Sequence, residues 1–80
     1  MTAHLNEPPF RITSAASIGA AIRHYRRSAG LTQAEVAERV GLRRRYLSEL
    51  ESDEQTERLD HIVRVLRALG VRLTCSYEEW

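Results

Sequence analysis

Between Thr32 and Ser52 the chain has room for two short helices and almost nothing between them. Val36, Ala37 and Val40 follow the helical period, Gly41 interrupts it, and the period resumes at Leu47 and Leu50. Thr32 and Glu35 form a T-x-x-E capping box, so the first helix is expected from Gln33 to about Val40. The second is expected from Arg43 or Arg44 to about Ser52, with Leu42 completing the apolar set of the corner. Ala37 is small where the second helix must cross closely, and Gly41 supplies the flexible backbone of the turn. Each feature is common by itself, but the whole register over some twenty residues confines this stretch to two crossing helices.

The remaining elements are read the same way. Met1 to Pro9 is expected as a loose tail, with Pro8 and Pro9 excluding helix, and Phe10 to Ile12 as a short extended segment. Ser14 is a good N-cap for a helix running to Ala29, with Ile18, Ala21, Ile22, Tyr25 and Ala29 on one face and Gly30 closing it. Ser52 to Thr56 is a polar connector. A helix from about Glu57 to Leu69 carries a stripe of Leu59, Ile62, Val63, Leu66 and Leu69 and is stopped by Gly70. After Gly70 the period becomes two: Val71, Leu73, Cys75 and Tyr77 alternate with Arg72, Thr74, Ser76 and Glu78, which reads as a strand. A lone strand is not stable, so it must pair with Phe10 to Ile12, with the same strand of a second chain, or with both. The division expected is a tail over 1–13, a helical domain over 14–70, and a dimerisation strand and tail over 71–80. A chain of 80 residues buries only about 60% of its unfolded surface, which also favours a dimer.

Composition excludes several classes. Cys75 is the only cysteine, so neither an internal disulfide nor a cysteine-based zinc site is possible. His4, His24 and His61 have no metal-ligand spacing, and His24 and His61 are expected as exposed helix residues. Ser48 lies on a helix with no base beside it, and the glycines occur singly, so no catalytic residue, metal or cofactor is expected. No run reaches the roughly 18 apolar residues of a membrane span, and the first residues lack the basic and apolar regions of a signal peptide. A cytoplasmic protein with no membrane partner is expected. The net charge of +1 conceals an asymmetry. From Arg11 to Arg45 there are eight arginines against Glu35 and Glu38, whereas from Tyr46 to Trp80 there are four arginines against eight acids. All twelve basic residues are arginine, whose planar fork suits phosphates and base edges. The first half is basic enough to seek a polyanion and the second is not.

The stretch IGAAIRHYRRSAGLTQAEVAERVGLRRRYLSELE, Ile18 to Glu51, resembles the Cro/C1-type (XRE-like) helix-turn-helix family. The later stretch TERLDHIVRVLRALGVRLTCS is similar to the HipB-type antitoxin branch, in which the last helix ends in ALG and leads into a strand that pairs across a dimer. The resemblance implies a mainly α fold: a four- to five-helix lambda-repressor-like helix-turn-helix domain, with a short C-terminal β-strand pairing across a dimer. It implies that Gln33 bonds a phosphate at a helix N-terminus, with Thr32 beside it, and that Arg26 and Glu51 form an internal structural ion pair. After Glu51 the chain departs from the family, placing Ser52, Asp53 and Glu54 where many members carry a glycine and a basic residue. Two acids repel phosphate, which runs against a phosphate contact at this point of the chain.

The physics of reading DNA fits this layout independently. A helix enters the major groove and presents the outward face of its N-terminal turns to base edges. Here those positions are Arg43, Arg44, Arg45 and Ser48, with Arg43 close enough to the cap to grip a phosphate instead. Arg23 and Arg27 on the preceding helix either add phosphate contacts or form a solvated face. Tyr46 either reaches a phosphate or covers its own helix.

The function expected is a transcriptional repressor that binds a palindromic operator in double-stranded DNA as a homodimer through Val71, Leu73, Cys75 and Tyr77. The branch resemblance makes it the antitoxin of a HipA-like kinase toxin, which would dock on the acidic half around Asp53, Glu54, Glu57 and Asp60. Trp80 either anchors that partner or folds back beside Tyr77. The alternatives are a stand-alone regulator of the same family, or an interaction module that mainly holds a partner enzyme.

Overall fold

A computed structural model describes residues 7–52 and 57–78. The acidic connector at Asp53 and Glu54 lies outside the described residues, as do Glu79, Trp80 and residues 1–6. The element order is β1 (Phe10–Ile12), α1 (Ala15–Ser28), α2 (Gln33–Val40), α3 (Arg44–Glu51), α4 (Glu57–Ala68) and β2 (Leu73–Cys75). No helix among the described residues is long and apolar enough to cross a membrane.

The helix boundaries arise from local chemistry. Ser14 is extended and its hydroxyl accepts from the Ser17 amide at 3.3 Å, which starts α1. At α2 both halves of the capping box form: the Thr32 hydroxyl accepts from the Glu35 amide at 3.1 Å, and the Thr32 amide donates to Glu35 Oε1 at 2.9 Å. The bond from the Thr32 amide, and after it the Thr32 side chain, hold the Glu35 carboxyl below its usual range. Gly41 ends α2 at φ 73°, a left-handed conformation that a side chain resists, and the Leu42 amide bonds back to the Ala37 carbonyl at 2.9 Å.

The core has two parts. Ala37 and Leu47 are buried where α2 and α3 cross, and α3 in turn packs on α1. Ile12, Ala21 and Val63 form the second part, joined by the half-buried Phe10, Ile18, Tyr25, Leu73 and Cys75. The sheet has two antiparallel strands, with Phe10 opposite Cys75, Arg11 opposite Thr74 and Ile12 opposite Leu73. Residues 10–12, grouped with the tail in the sequence division, therefore belong to the packed unit.

Three expectations need correction. The strand expected over 71–77 spans only Leu73–Cys75, because its partner β1 is bounded by Pro9, which lacks an amide donor, and by the helix cap at Ser14. Of the pairings open to it, the one within the chain forms, with β1. Val40, expected inward, is 59% exposed, and Leu42 of the apolar corner set is 40% exposed, since the chain turns away at Gly41 before another element covers them. Along α4 only Val63 is fully buried and Leu59 and Leu66 half-buried, whereas Ile62 is 50% and Leu69 71% exposed. The stripe is wider than one face: Ile62, Val65 and Leu69 form an adjoining ridge that the single chain leaves open.

Candidate nucleic-acid interface

Glu51, at the end of α3, organises the site. It is 7% exposed and receives four nitrogen neighbours. Arg26 on α1 reaches it with both arms of its fork, Nε at 2.7 Å from Oε2 and Nη2 at 3.0 Å from Oε1. Gln33 Nε2 donates to Oε1 at 3.2 Å, and Arg23 Nε lies 4.0 Å from the same oxygen. Burial pushes the Glu51 carboxyl up, but the bonds from Arg26 and Gln33 and the two positive charges outweigh it and hold the group below its usual range. The same bond raises the Arg26 guanidinium. Arg26 Nη1 also donates to the Leu31 carbonyl at 2.9 Å. One carboxylate thus ties the end of α3 to α1, to the α1–α2 turn and to the first residue of α2.

This clamp fixes how α3 is presented. Arg43 is the extended N-cap residue and gives no side-chain cap bond, so the first turn of α3 keeps free amide donors. Arg43, Arg44, Arg45, Tyr46 and Ser48 are all exposed. Among the described residues no carboxylate pairs with Arg43, Arg44 or Arg45. Arg44 shares one open groove of about 520 Å³ with Arg23, Arg27, Thr32 and Gln33. That groove runs from the C-terminal half of α1 over the N-terminus of α2 to the start of α3. Four arginines line it; Arg26 is spent on Glu51, which leaves Arg23, Arg27 and Arg44 beside the positive end of a helix dipole, a combination that favours an extended polyanion.

The helix-turn-helix family model matches residues 22–74, more than half of the chain. The protein belongs to the Cro/C1-type (XRE-like) helix-turn-helix family. The family is one of DNA-binding transcription regulators and is not typically enzymatic. No curated protein and no solved structure matches the chain. In family terms α2 and α3 are the helix pair of the motif, and α3 is the helix whose N-terminal face is turned to solvent.

The other residues singled out in the sequence fall away from this groove. Leu73 and Cys75 pack from β2 against the core beside α1, and the Tyr25 and Tyr77 rings meet edge-on at 4.9 Å. Val71 is 46% exposed. His24 corrects an expectation: it is half-buried, its Nε2 lies 2.7 Å from Glu7 Oε1, and its ring packs against Phe10 and Tyr25. His61 is exposed. Sequence reasoning placed Tyr25 on the apolar face but missed its polar role: its Oη donates to the Cys75 carbonyl at 2.8 Å and so ties β2 to α1. Burial first, then the neighbouring Cys75 and Glu7 charges, raise its hydroxyl. The signal lay in the sequence, where Tyr25 is a polar-tipped ring on an otherwise aliphatic helix face.

Proposed function

We propose that the protein is a sequence-specific transcriptional repressor that lays α3 in the major groove of double-stranded DNA. Arg44 and Arg45 read base edges, with Ser48 beside them, while Arg43 contacts either a base or the backbone. Arg23, Arg27, Thr32, Gln33 and Tyr46 hold phosphates. The observation that carries this reading is the groove joining Arg44 to Arg23, Arg27, Thr32 and Gln33. It supports one continuous track in which a base-reading residue adjoins several phosphate-holding ones. Gln33 keeps one amide hydrogen for phosphate while the other serves Glu51. A two-fold dimer, with α4 and β2 between the copies, covers the apolar ridge of Ile62, Val65 and Leu69 and sets two α3 helices about one DNA turn apart. The test is a set of gel shifts on the operator and on unrelated DNA. Arg44→Ala and Arg45→Ala are expected to lose preference for the operator, each by roughly 1–3 kcal/mol where the contact is bidentate. Arg23→Ala and Arg27→Ala are expected to weaken both DNAs alike. Arginine variants that keep full operator preference would remove α3 as the reader.

A finer reading makes the repressor the antitoxin of a HipA-like kinase. It rests on the resemblance of residues 56–76 to the HipB-type branch and on the acidic charge of that half, with Glu57 and Glu78 exposed. Co-purification with the neighbouring gene product is expected, and its failure would leave the stand-alone regulator.

A further inference from the structure

The outward face of the sheet carries a second group of arginines, remote from α3. Arg11, Arg67 and Arg72 line a small pocket of about 130 Å³ with Thr13, Gly70 and Val71. Arg11 stands opposite Thr74 on the exposed face of the β1–β2 pair, and Arg72 is its diagonal neighbour there. Arg67 comes from the last turn of α4 and is held in place by a 2.9 Å bond from its Nη1 to the Thr13 carbonyl. Among the described residues no carboxylate pairs with any of the three. Three guanidinium charges around so small a space repel one another, and an entering carboxylate relieves that repulsion with charge-assisted hydrogen bonds.

The strand register indicates which carboxylate. Within the chain β2 uses one edge for β1, and the other edge is available for a second β2 running antiparallel. A one-residue slip would turn every side chain to the wrong face, so facing residues must share a face. Full overlap of Leu73–Cys75 with its copy then sets Thr74 against Thr74. In that register Arg72 comes opposite the partner's Ser76, and the partner's Glu78 continues two residues further, past the turn at Gly70. Glu78 is exposed, and from Arg72 to Glu78 exposed residues alternate with half-buried ones, so the outward side of β2 continues past its paired residues through Ser76 to Glu78. The partner's Glu78 is thus the diagonal neighbour of Arg72, a separation that long side chains span.

We propose that the Arg11–Arg67–Arg72 pocket is a carboxylate site filled by Glu78 of a second copy of this chain. The result is a reciprocal ion latch, made twice per dimer, that sets the strand register. The latch rests on the proposed dimer, and its failure is distinguishable from the failure of that dimer. The experiment is sedimentation equilibrium of the full chain as wild type, Arg72→Glu, Glu78→Arg and the double variant, with circular dichroism melting to check each fold. Each single reversal puts like charges together at two places and is expected to weaken the dimer about tenfold. The double variant restores opposite charges and is expected to return within about threefold of wild type. Arg72→Gln and Glu78→Gln, which remove charge without repulsion, are expected to give smaller losses of about threefold. A wild-type dimer indifferent to both reversals, or weakened by each without recovery in the double, would overturn the latch and leave the dimer standing. A wild type that stays monomeric would overturn both.

Discussion

Glu51 ties together more of this fold than any other polar residue among those described. Its carboxylate is removed from water, and four nitrogens from α1 and α2 converge on it. Such a pair adds little beyond an apolar substitute of equal shape, but breaking it strands a buried charge. Arg26→Ala is therefore expected to cost about 3–5 kcal/mol, which thermal denaturation reads as a fall of well over ~10 °C in a domain this small. The Glu51 carboxyl titrates below its unfolded value, so the stability it contributes is fully present above that value. That contribution is lost as the pH falls through the folded value, below the ordinary glutamate range near about 4.3. Urea midpoints measured across acid pH are expected to fall in the wild type and to fall less steeply in Glu51→Gln. Much of this was legible in the sequence, because the family resemblance names the Arg26 and Glu51 positions. The third partner was not: Gln33 Nε2 on Glu51 depends on how α2 leans on α3, a tertiary angle that sequence spacing does not encode.

At the scale of elements, the corner between α2 and α3 rests on a few local choices. A β-carbon at Gly41 would meet no atom within 4 Å, so space is not the constraint; the constraint is its φ of 73°. Gly41→Ala is expected to destabilise by about 1–2 kcal/mol, the cost of a left-handed residue with a β-carbon. Gly41→Asn is expected to cost less, and chemical denaturation checks the order of the two. Helix starts and stops were readable here because they depend on near neighbours: Ser14 on Ser17, Thr32 on Glu35, Gly41 on Ala37 and Glu38. The depth of each apolar stripe was not readable. Ile62 and Val63 are both strongly apolar and adjacent in sequence, yet one is half exposed and the other is 1% exposed. The difference lies in which neighbours α4 meets, and periodicity gives the face of a helix without giving the width that is covered. β2 was cut short for a similar reason, since a strand extends only as far as its partner does.

At the scale of the whole molecule, charge and apolar surface are divided between different jobs. The groove along α1, α2 and α3 gathers arginines, whereas α4 leaves the ridge of Ile62, Val65 and Leu69 uncovered. A monomer that exposes such a ridge is expected to associate, so its melting temperature is expected to rise with protein concentration. The central claim is that α3 reads bases while the groove behind it holds phosphates. The direct measurement is the affinity for operator and for unrelated DNA across a series of salt concentrations, with wild type, Arg44→Ala/Arg45→Ala and Arg23→Ala/Arg27→Ala. The account predicts steep salt dependence for the wild type on both DNAs, because bound phosphates release counterions. It predicts a collapsed operator-to-unrelated ratio for the α3 pair, and a preserved ratio with a shallower salt slope for the α1 pair. An α3 pair that keeps the wild-type ratio while the α1 pair loses it would contradict the assignment of base reading to α3.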